Sequence, residues 1–255
     1  MHSDLFRLHA TIEEAHWWFV GRRRIMRDLV TAVLPPTPGG GGVIADIGCG
    51  TGANIAALSG MYECIGVDTS KDAVELARLR YPGVRFLLGE APKVLGQQVS
   101  AVDLFLLMDV LEHLEDDVGT LSALVSAARP GALFLITVPA DMRLWSAHDE
   151  IFGHYRRYDR ETLRSLWSGL PVEAVLLSHF SSRLYPVVRA VRTLTRLRGG
   201  TFGAQGTDFR IPPAPMNRAL TRLFSGEGVR LTGVLRGDSS PYRSGSSLIA
   251  ILRVR

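Results

Sequence analysis

The residues best suited to chemistry lie in a glycine-rich segment near residue 50. An apolar run over residues 43–47 carries a single acid, Asp46, and leads directly into three alternating glycines, Gly48, Gly50 and Gly52. Glycine has no Cβ, so a turn with alternating glycines brings its backbone close to a ligand. A helix predicted over residues 53–58 would point its free N–H groups at the same place. This arrangement is typical of nucleotide-like ligands.

A second apolar stretch, residues 64–67, ends at Asp68, sixteen residues after Gly52. A carboxylate at the end of this strand can accept hydrogen bonds from both hydroxyls of a ribose. Taken alone, the glycines and Asp68 also satisfy the looser fingerprint of dinucleotide-binding proteins. An NAD-binding protein is therefore an open alternative at this point.

A third segment, residues 102–114, is an apolar run that ends in Asp109, Glu112 and His113. Together with the Asp-x-Gly-x-Gly-x-Gly loop, it resembles the class I S-adenosylmethionine (SAM)-dependent methyltransferases, of the small-molecule type found in bacteria. The resemblance covers about residues 43–139. It implies SAM as cofactor and methyl transfer to oxygen, nitrogen or carbon of a small-molecule, natural-product or lipid- or glycan-linked acceptor. Glu90 stands where the family usually has Asp. The cofactor-binding residues that it implies are Asp46, Gly48, Cys49, Gly50, Gly52, Asp68, Thr69, Glu90, Ala91, Met108 and Asp109.

Strands that alternate with helices predict an α/β fold, a Rossmann-like doubly wound sheet. We predict seven strands, mostly parallel, and the resemblance implies that the last one, residues 247–254, is antiparallel. We divide the chain into four parts. They are an N-terminal helical cap and linker (1–40), a SAM-binding core (41–180) with an active-site loop (141–159), a lid or insertion (181–244) and the final core strand (245–255).

Composition narrows the setting and the ligands. The chain has 255 residues and two cysteines, and it begins without the basic and apolar regions of a signal peptide. A reduced, cytoplasmic setting is the expectation. No spacing of Cys, His or carboxylates matches a known metal motif, so we predict no metal. No nucleic-acid-binding module is recognisable either, and we predict no nucleic-acid partner.

The net charge of +4 hides an asymmetry along the chain. From residue 172 onward there are 13 arginines and four acids, a net of +9, which leaves −5 for the first 171 residues. Residues 183–198 contain five arginines and no acid, with apolar residues at helical spacing. Such a helix could be a lid with its apolar stripe on the core and its arginines in solvent, which is the simpler interpretation. It could also provide peripheral membrane contact.

An aromatic segment, His16 to Phe19, precedes three arginines, Arg22 to Arg24. Its tryptophans could simply fix an N-terminal helix to the domain. Alternatively, Trp18 could form a wall beside the substrate while an arginine such as Arg22 reaches the methionine carboxylate of the cofactor. A similar stretch occurs ahead of the glycine loop in many bacterial methyltransferases. Which arginine turns inward stays open.

The segment after the fifth strand is the main catalytic candidate. Histidine titrates near neutral pH, so His154, His148 or His113 could accept a proton from the acceptor, with Asp149 or Glu150 orienting the ring. His154 is our first choice. Further candidates for contact with an anionic acceptor are Tyr155, Arg156 and Arg157, the arginines through bidentate pairing.

Three other functions are weighed against this one. An NAD-linked oxidoreductase would need a hydride-transfer partner such as Tyr-x-x-x-Lys, and neither lysine stands in such a position. A nucleic-acid amino methyltransferase usually has Asn or Asp followed by Pro-Pro-aromatic after strand four, where this chain has Asp109-Val-Leu-Glu. A non-catalytic SAM-binding protein stays an alternative because fold does not fix function. The oligomeric state stays open.

Overall fold

The computed structural model describes residues 10–37, 40–197 and 210–255. The first nine residues of the predicted cap, Arg198, and the side chain of Arg196 lie outside this description. Seven strands form one sheet: β1 Val43–Ile47, β2 Glu63–Asp68, β3 Arg85–Leu88, β4 Leu104–Met108, β5 Leu133–Pro139, β6 Val172–Phe180 and β7 Ser247–Val254. Their order across the sheet is β3-β2-β1-β4-β5-β7-β6.

The sheet is mostly parallel. Neighbouring strands among β1 to β5 pair parallel, whereas β7 runs antiparallel to both β5 and β6. The central strands are near-continuous apolar runs because both of their faces are buried. The predicted doubly wound fold with an antiparallel last strand is confirmed.

Nine α-helices and three 3₁₀ segments within the described residues connect the strands. The α-helices are α1 Trp17–Val33, α2 Ala53–Ala56, α3 Lys71–Arg80, α4 Asp117–Ala127, α5 Ala147–Ile151, α6 Arg160–Ser165, α7 Tyr185–Leu197, α8 Ala214–Ser225 and α9 Glu227–Arg236. The 3₁₀ segments are Lys93–Ala101, Leu111–His113 and Met142–Leu144. Within these described residues, no helix is long and apolar enough to cross a membrane.

Helices cover both faces of the sheet. On one face, α4 and α6 pack around Phe105 and Phe134, whose rings stack with centroids 4.7 Å apart. On the other face, α1, α3, α8 and α9 pack around the opposite sides of the same strands. The loops at the carboxyl ends of β1 to β5 therefore meet at one edge, which is where α/β sheets bind ligands.

Local contacts set two further boundaries. Helix α4 begins at Asp117, because the carboxylate of Asp116 accepts a hydrogen bond from the backbone N–H of Gly119 at 2.8 Å. Strand β6 continues to Phe180, because its pairing with β7 runs to Ser247.

The N-terminal segment forms a long helix that packs against the end of the chain. The side chain of His16 accepts from the backbone N–H of Trp18 and starts α1. The N–H of Trp17 donates to the side-chain oxygen of Asn217 at 2.9 Å, and its ring meets that of Phe224 edge to face. Helix α1 therefore joins α8 and α9 in a single layer.

The orientation of helix α7 differs in part from the simpler interpretation of its sequence. Tyr185 is buried and Arg192 is half-buried, whereas Val187, Val191, Leu194 and Leu197 are between 45% and 81% exposed. The Arg192 guanidinium donates to the carbonyl of Leu144, and the Tyr185 hydroxyl donates to Asp141 at 2.6 Å. Leu184 and Val188 are half-buried and Arg189 is exposed, as the simpler interpretation expects. The rest of the apolar stripe is exposed and Arg192 turns inward, so that part of the interpretation is wrong.

Candidate active site

The glycine turn follows β1 and is fixed by Asp68 at the end of β2. One Asp68 carboxylate oxygen accepts from the N–H of Gly50 at 2.8 Å, and the other accepts from the N–H of Ser70 at 2.8 Å. All three glycines have positive φ, at 71° for Gly48, 53° for Gly50 and 86° for Gly52. L-residues with a side chain rarely adopt this conformation.

The three glycines have different surroundings. A Cβ at Gly48 would lie 2.7 Å from Val110, and one at Gly52 would lie 2.7 Å from Phe86, so these two positions are glycine for packing reasons. A Cβ at Gly50 would meet nothing within 4 Å. The open space above this turn is therefore at Gly50, where a ligand could approach the backbone.

The other proposed cofactor residues follow the carboxyl ends of the same strands. Thr69 is exposed after β2, and Glu90 and Ala91 follow β3 with Glu90 exposed. Met108 ends β4 and is 6% exposed. Cys49 lies beneath the turn, buried and unpaired, with its sulfur against Gly66 rather than towards the open space. Its thiol is therefore a packing group, and only its backbone belongs to the turn.

A group of buried charges lies beside the turn. Arg22 turns inward from α1, while Arg24 is exposed, which answers which arginine points at the site. The Arg22 guanidinium pairs with Asp109, which directly follows β4 and has a φ of 58°. The same guanidinium lies 4.5 Å from the centre of the Trp18 ring. Asp46 is 1% exposed close by.

Burial shifts the protonation of this group. Burial raises the pKa of Asp46 to about 8, although the nearby Arg22 opposes the shift. Burial also raises the pKa of Glu112 to about 8 and lowers the pKa of Arg22 to about 10. Burial thus disfavours the charged form of each of these groups. A polar ligand bound beside them would reduce this desolvation penalty.

Unpartnered polar atoms test whether the site fits SAM. Among the described residues, Nε of Arg22 and Oδ2 of Asp46 are buried without a hydrogen-bond partner. The methionine end of SAM carries a carboxylate and an ammonium, which match a guanidinium donor and a carboxylate acceptor. Asp68 has acceptor capacity left for the ribose hydroxyls, beside the open space over Gly50. The residues fit this cofactor.

The cap is tied to the glycine turn. The hydroxyl of Thr51, inside the turn, donates to Glu13 at 2.7 Å. Arg80, at the end of α3, pairs with Glu13 and Glu14 and donates to the carbonyl of Thr51 at 3.1 Å. Sequence reasoning missed this link. The two glutamates ahead of the aromatic segment were its only sequence signal.

The three candidate histidines come together. The ring centroids of His113 and His154 are 4.6 Å apart, and those of His148 and His154 are 6.2 Å apart. Burial lowers the pKa of His113 and of His148 to about 4, so both are neutral at pH 7 and are weak bases. His154 pairs through Nδ1 with Asp149 at 2.9 Å, so Asp149 is the residue that orients it.

Arg157 does not fit its expected role as a contact for an anionic acceptor. Its guanidinium is buried and pairs with Asp149 in bidentate fashion, with Nε and Nη2 at 2.8 and 3.0 Å from the two carboxylate oxygens. Its Nη1 donates to the carbonyl of Ala140. The fork is already satisfied, so Arg157 holds Asp149 in place. We correct its role from substrate contact to positioning.

Arg156 and Tyr155 precede Arg157 on the same loop. Arg156 pairs with Asp117 at 2.7 Å and donates to the carbonyl of Glu115. Tyr155 is 57% exposed, with the Arg156 guanidinium 5.7 Å from its ring centre. The Arg156 side chain is half-buried and the Tyr155 side chain is exposed, whereas Arg157 is buried. Contact of Arg156 or Tyr155 with an acceptor stays a prediction.

Comparisons with known proteins identify the domain that carries this site. Residues 45–136 match the family model described as a methyltransferase domain. A trans-aconitate 2-methyltransferase of Methylobacterium radiotolerans is 32% identical over 100 residues, which are 38% of this chain and 38% of that protein. The chain thus aligns with well under half the length of that relative.

Solved structures share the fold over nearly the whole chain. The plantazolicin methyltransferase BamL, in complex with a triazolic desmethylPZN analog and SAH, has a TM-score of 0.60 at 14% identity, covering 98% of this chain and 90% of that one. A SAM-dependent methyltransferase of Archaeoglobus fulgidus has a TM-score of 0.51 at 16% identity, covering 91% and 94%. Residues 45–136 are therefore a class I SAM-dependent methyltransferase domain, which has SAM as its cofactor, and the fold around this domain is that of the solved methyltransferases.

Proposed function

We propose that this protein transfers the methyl group of SAM to a small-molecule acceptor that enters between the glycine turn and the loop of residues 141–159. The observation that carries the proposal is that two buried atoms, Nε of Arg22 and Oδ2 of Asp46, have no hydrogen-bond partner among the described residues. They lie beside the open turn that Asp68 fixes. Bound SAM supplies a methyl group on a sulfonium sulfur, which a lone pair of the acceptor displaces with release of the thioether.

The chain's own residues bind and orient the cofactor in this proposal. Arg22 donates to the methionine carboxylate, Asp46 accepts from the ammonium and Asp68 accepts from the ribose. Met108, Glu90 and Ala91 border the same edge. Holding the reactants in line contributes up to about 7–11 kcal/mol in favourable cases. The cap and α7 exclude water from this edge.

His154 is the residue we propose to receive the acceptor's proton. Asp149 is an ionised acceptor, because the hydrogen bond from His154 and the charge of Arg157 hold its pKa far below the usual range. Nδ1 of His154 must then carry the proton of that bond, which leaves Nε2 free to accept another. His113 and His148 are less suited, given their low pKa values.

Calorimetry tests the proposal directly. The protein should bind SAM and S-adenosylhomocysteine and should not bind NAD. Tight NAD binding without SAM binding would support the oxidoreductase instead. SAM binding without methyl transfer to any fraction of a cell extract would support the non-catalytic alternative.

We also propose that the acceptor is lipid-linked and that the protein meets it at an anionic membrane surface. Helix α7 presents Val187, Val191 and Leu194 outward, flanked by the exposed Arg189. An apolar face beside arginines, in a region with a net charge of +9, complements an anionic bilayer. The inner face of the same helix covers the active-site loop through Arg192. Both cysteines are free and buried, which supports the cytoplasmic side.

Vesicle flotation tests this surface. The protein should float with vesicles of phosphatidylglycerol and phosphatidylcholine but not with phosphatidylcholine alone. Val191→Ser with Leu194→Ser should abolish flotation, whereas Val229→Ser, at an even more exposed apolar position on α9, should not. With tritium-methyl SAM and cell extracts, label should enter the chloroform-soluble fraction. Label in the aqueous fraction alone, or flotation unaffected by the α7 changes, would refute the membrane proposal.

A further inference from the structure

Three potential metal ligands converge beside the acceptor space. Glu112 and His113 lie on the 3₁₀ turn after β4, and His154 lies on the loop after β5. One donor atom from each lies within 4.8 Å of the others. Sequence reasoning predicted no metal because these residues match no local motif. The fold brings together positions 41 residues apart.

Glu112 gives an independent indication of a missing ligand. It is fully buried, and neither of its carboxylate oxygens has a hydrogen-bond partner on any other described residue; only its own backbone N–H acts on it as a donor. Leaving a buried carboxylate without donors is costly. The guanidinium groups of Arg22 and Arg157 act on it electrostatically but do not bond to it. A cation between Glu112 and the two imidazoles would satisfy those oxygens.

The second nitrogen of each histidine is already fixed in the way that metal sites fix it. Nδ1 of His154 donates to Asp149, which the bidentate pair with Arg157 holds in place. His113 bonds to the backbone of Phe152. Metal-binding histidines almost always donate their other N–H to a carboxylate or a backbone carbonyl. Each ring therefore keeps one nitrogen free to face Glu112 and the other ring.

We propose that Glu112, His113 and His154 bind one divalent first-row transition-metal ion, of which Zn²⁺ is the best match. Two imidazoles and one carboxylate suit such ions and disfavour Mg²⁺, which prefers oxygen ligands and water. Ligand atoms about 2.0–2.2 Å from a tetrahedral zinc lie about 3.4 Å apart. The three donor atoms, which lie within 4.8 Å of one another, would therefore close by at most about 1.4 Å on binding.

Three protein ligands leave open positions for an oxygen atom of the acceptor. This refinement rests on the proposed function, since it assigns the cation to the acceptor side of the same site. A bound divalent ion lowers the pKa of an oxygen ligand, whose proton is then lost to solvent. Nε2 of His154 would then be a ligand rather than a base, and the metal would take over the activation of the acceptor.

The test uses the purified protein, freed of metal by dialysis against a chelator. Calorimetric titration with Zn²⁺ should give one site per chain, and Co²⁺ should give visible absorption bands typical of a low-coordinate site. Glu112→Gln, which keeps the shape of the side chain, should weaken Zn²⁺ binding at least tenfold and remove the Co²⁺ bands, as should His113→Ala. The matched control is His148→Ala, a neighbouring histidine outside the trio, which should bind Zn²⁺ like the parent.

Several outcomes would overturn the proposal. They are the absence of stoichiometric Zn²⁺ binding by the parent, equal binding by the Glu112→Gln variant, or loss only in the His148→Ala variant. Thermal unfolding checks that each variant is folded. SAM titration on the same metal-free samples separates the two ideas: SAM binding without metal binding refutes the metal site alone, and loss of both refutes the proposed function.

Discussion

Replacing Arg22 by methionine is the sharpest test of how the cofactor is held. Arg22 is 7% exposed, its Nε has no partner among the described residues and its guanidinium pairs with Asp109. We propose that it donates charge-assisted hydrogen bonds to the methionine carboxylate. Each such bond contributes about 1.5–3 kcal/mol. Arg22→Met should therefore weaken SAM and S-adenosylhomocysteine binding by about 10- to 150-fold.

The same change has a cost in stability that must be separated from the loss of binding. Asp109 loses its partner, but its side chain is 22% exposed and water can reach it. The free energy of unfolding should therefore fall by about 1–3 kcal/mol, the cost of an unsatisfied polar group, rather than by the larger cost of a fully buried charge. Denaturant unfolding measures this term, and calorimetry below the transition measures the affinity.

Two further variants make the reasoning refutable. Arg22→Lys keeps the charge but loses the planar fork, so its affinity should lie between those of the parent and the methionine variant. Arg24→Met removes an exposed arginine from the same helix and should change neither affinity nor stability. If the folded Arg22→Met protein binds SAM within twofold of the parent, Arg22 does not contact the cofactor and the assignment of this edge is wrong.

Three further predictions concern the same edge. Gly50→Val should lose SAM binding. Gly237 also has a positive φ and no atom within 4 Å of an added Cβ, so Gly237→Val should lose similar stability but keep its affinity for SAM. Equal SAM binding by both variants would place the cofactor elsewhere. Asp68→Ala should weaken SAM binding by about 1.5–3 kcal/mol, and Asp68→Asn by less because one acceptor oxygen stays; calorimetry ranking them otherwise would contradict the ribose contact. Because burial raises the pKa of Asp46 to about 8, the carboxyl must release a proton to accept the ammonium, so SAM affinity should rise between pH 6 and pH 7.5, by at most tenfold per pH unit. Asp46→Asn should remove that slope, and a slope that persists in the variant would assign the titration to another group.

The parts of the fold that depend only on neighbouring residues in the chain were predictable from the sequence. Strand β7 was placed at its observed bounds, Ser247–Val254, because its apolar, β-branched run has no competing helical period. Aspartate is a preferred residue at the start of a helix, and the carboxylate of Asp159 accepts from the N–H groups of Glu161 and Thr162 at the start of α6. Such features depend on a few neighbouring residues, and the sequence displays them directly.

Features that depend on distant partners were not predictable. From the sequence, the guanidinium of Arg157 looks able to bind an anionic acceptor. In the fold, its donors are already bonded to Asp149. The stripe on α7 has an ordinary amphipathic pattern, yet Tyr185 and Arg192 determine its inner face by bonds to Asp141 and Leu144. The spacing of apolar residues predicts that a helix has an apolar and a polar face. Which face is buried depends on the elements packed against the helix.

The order of the sheet has a consequence for how the chain acquires its native state. Strand β6 joins the sheet only through β7, the last strand to be synthesised, and Trp17 bonds to Asn217, 200 positions later. Contacts of such long sequence separation form late, because closing a long loop costs entropy before the contacts compensate for it. During synthesis, β1 to β5 can pair before residues 216–255 are made. Strand β6 and helix α1 gain these partners only after that segment has been made. The cofactor edge is therefore completed last, and acquisition of SAM binding by a refolding chain would report arrival at the native topology rather than collapse of the central strands.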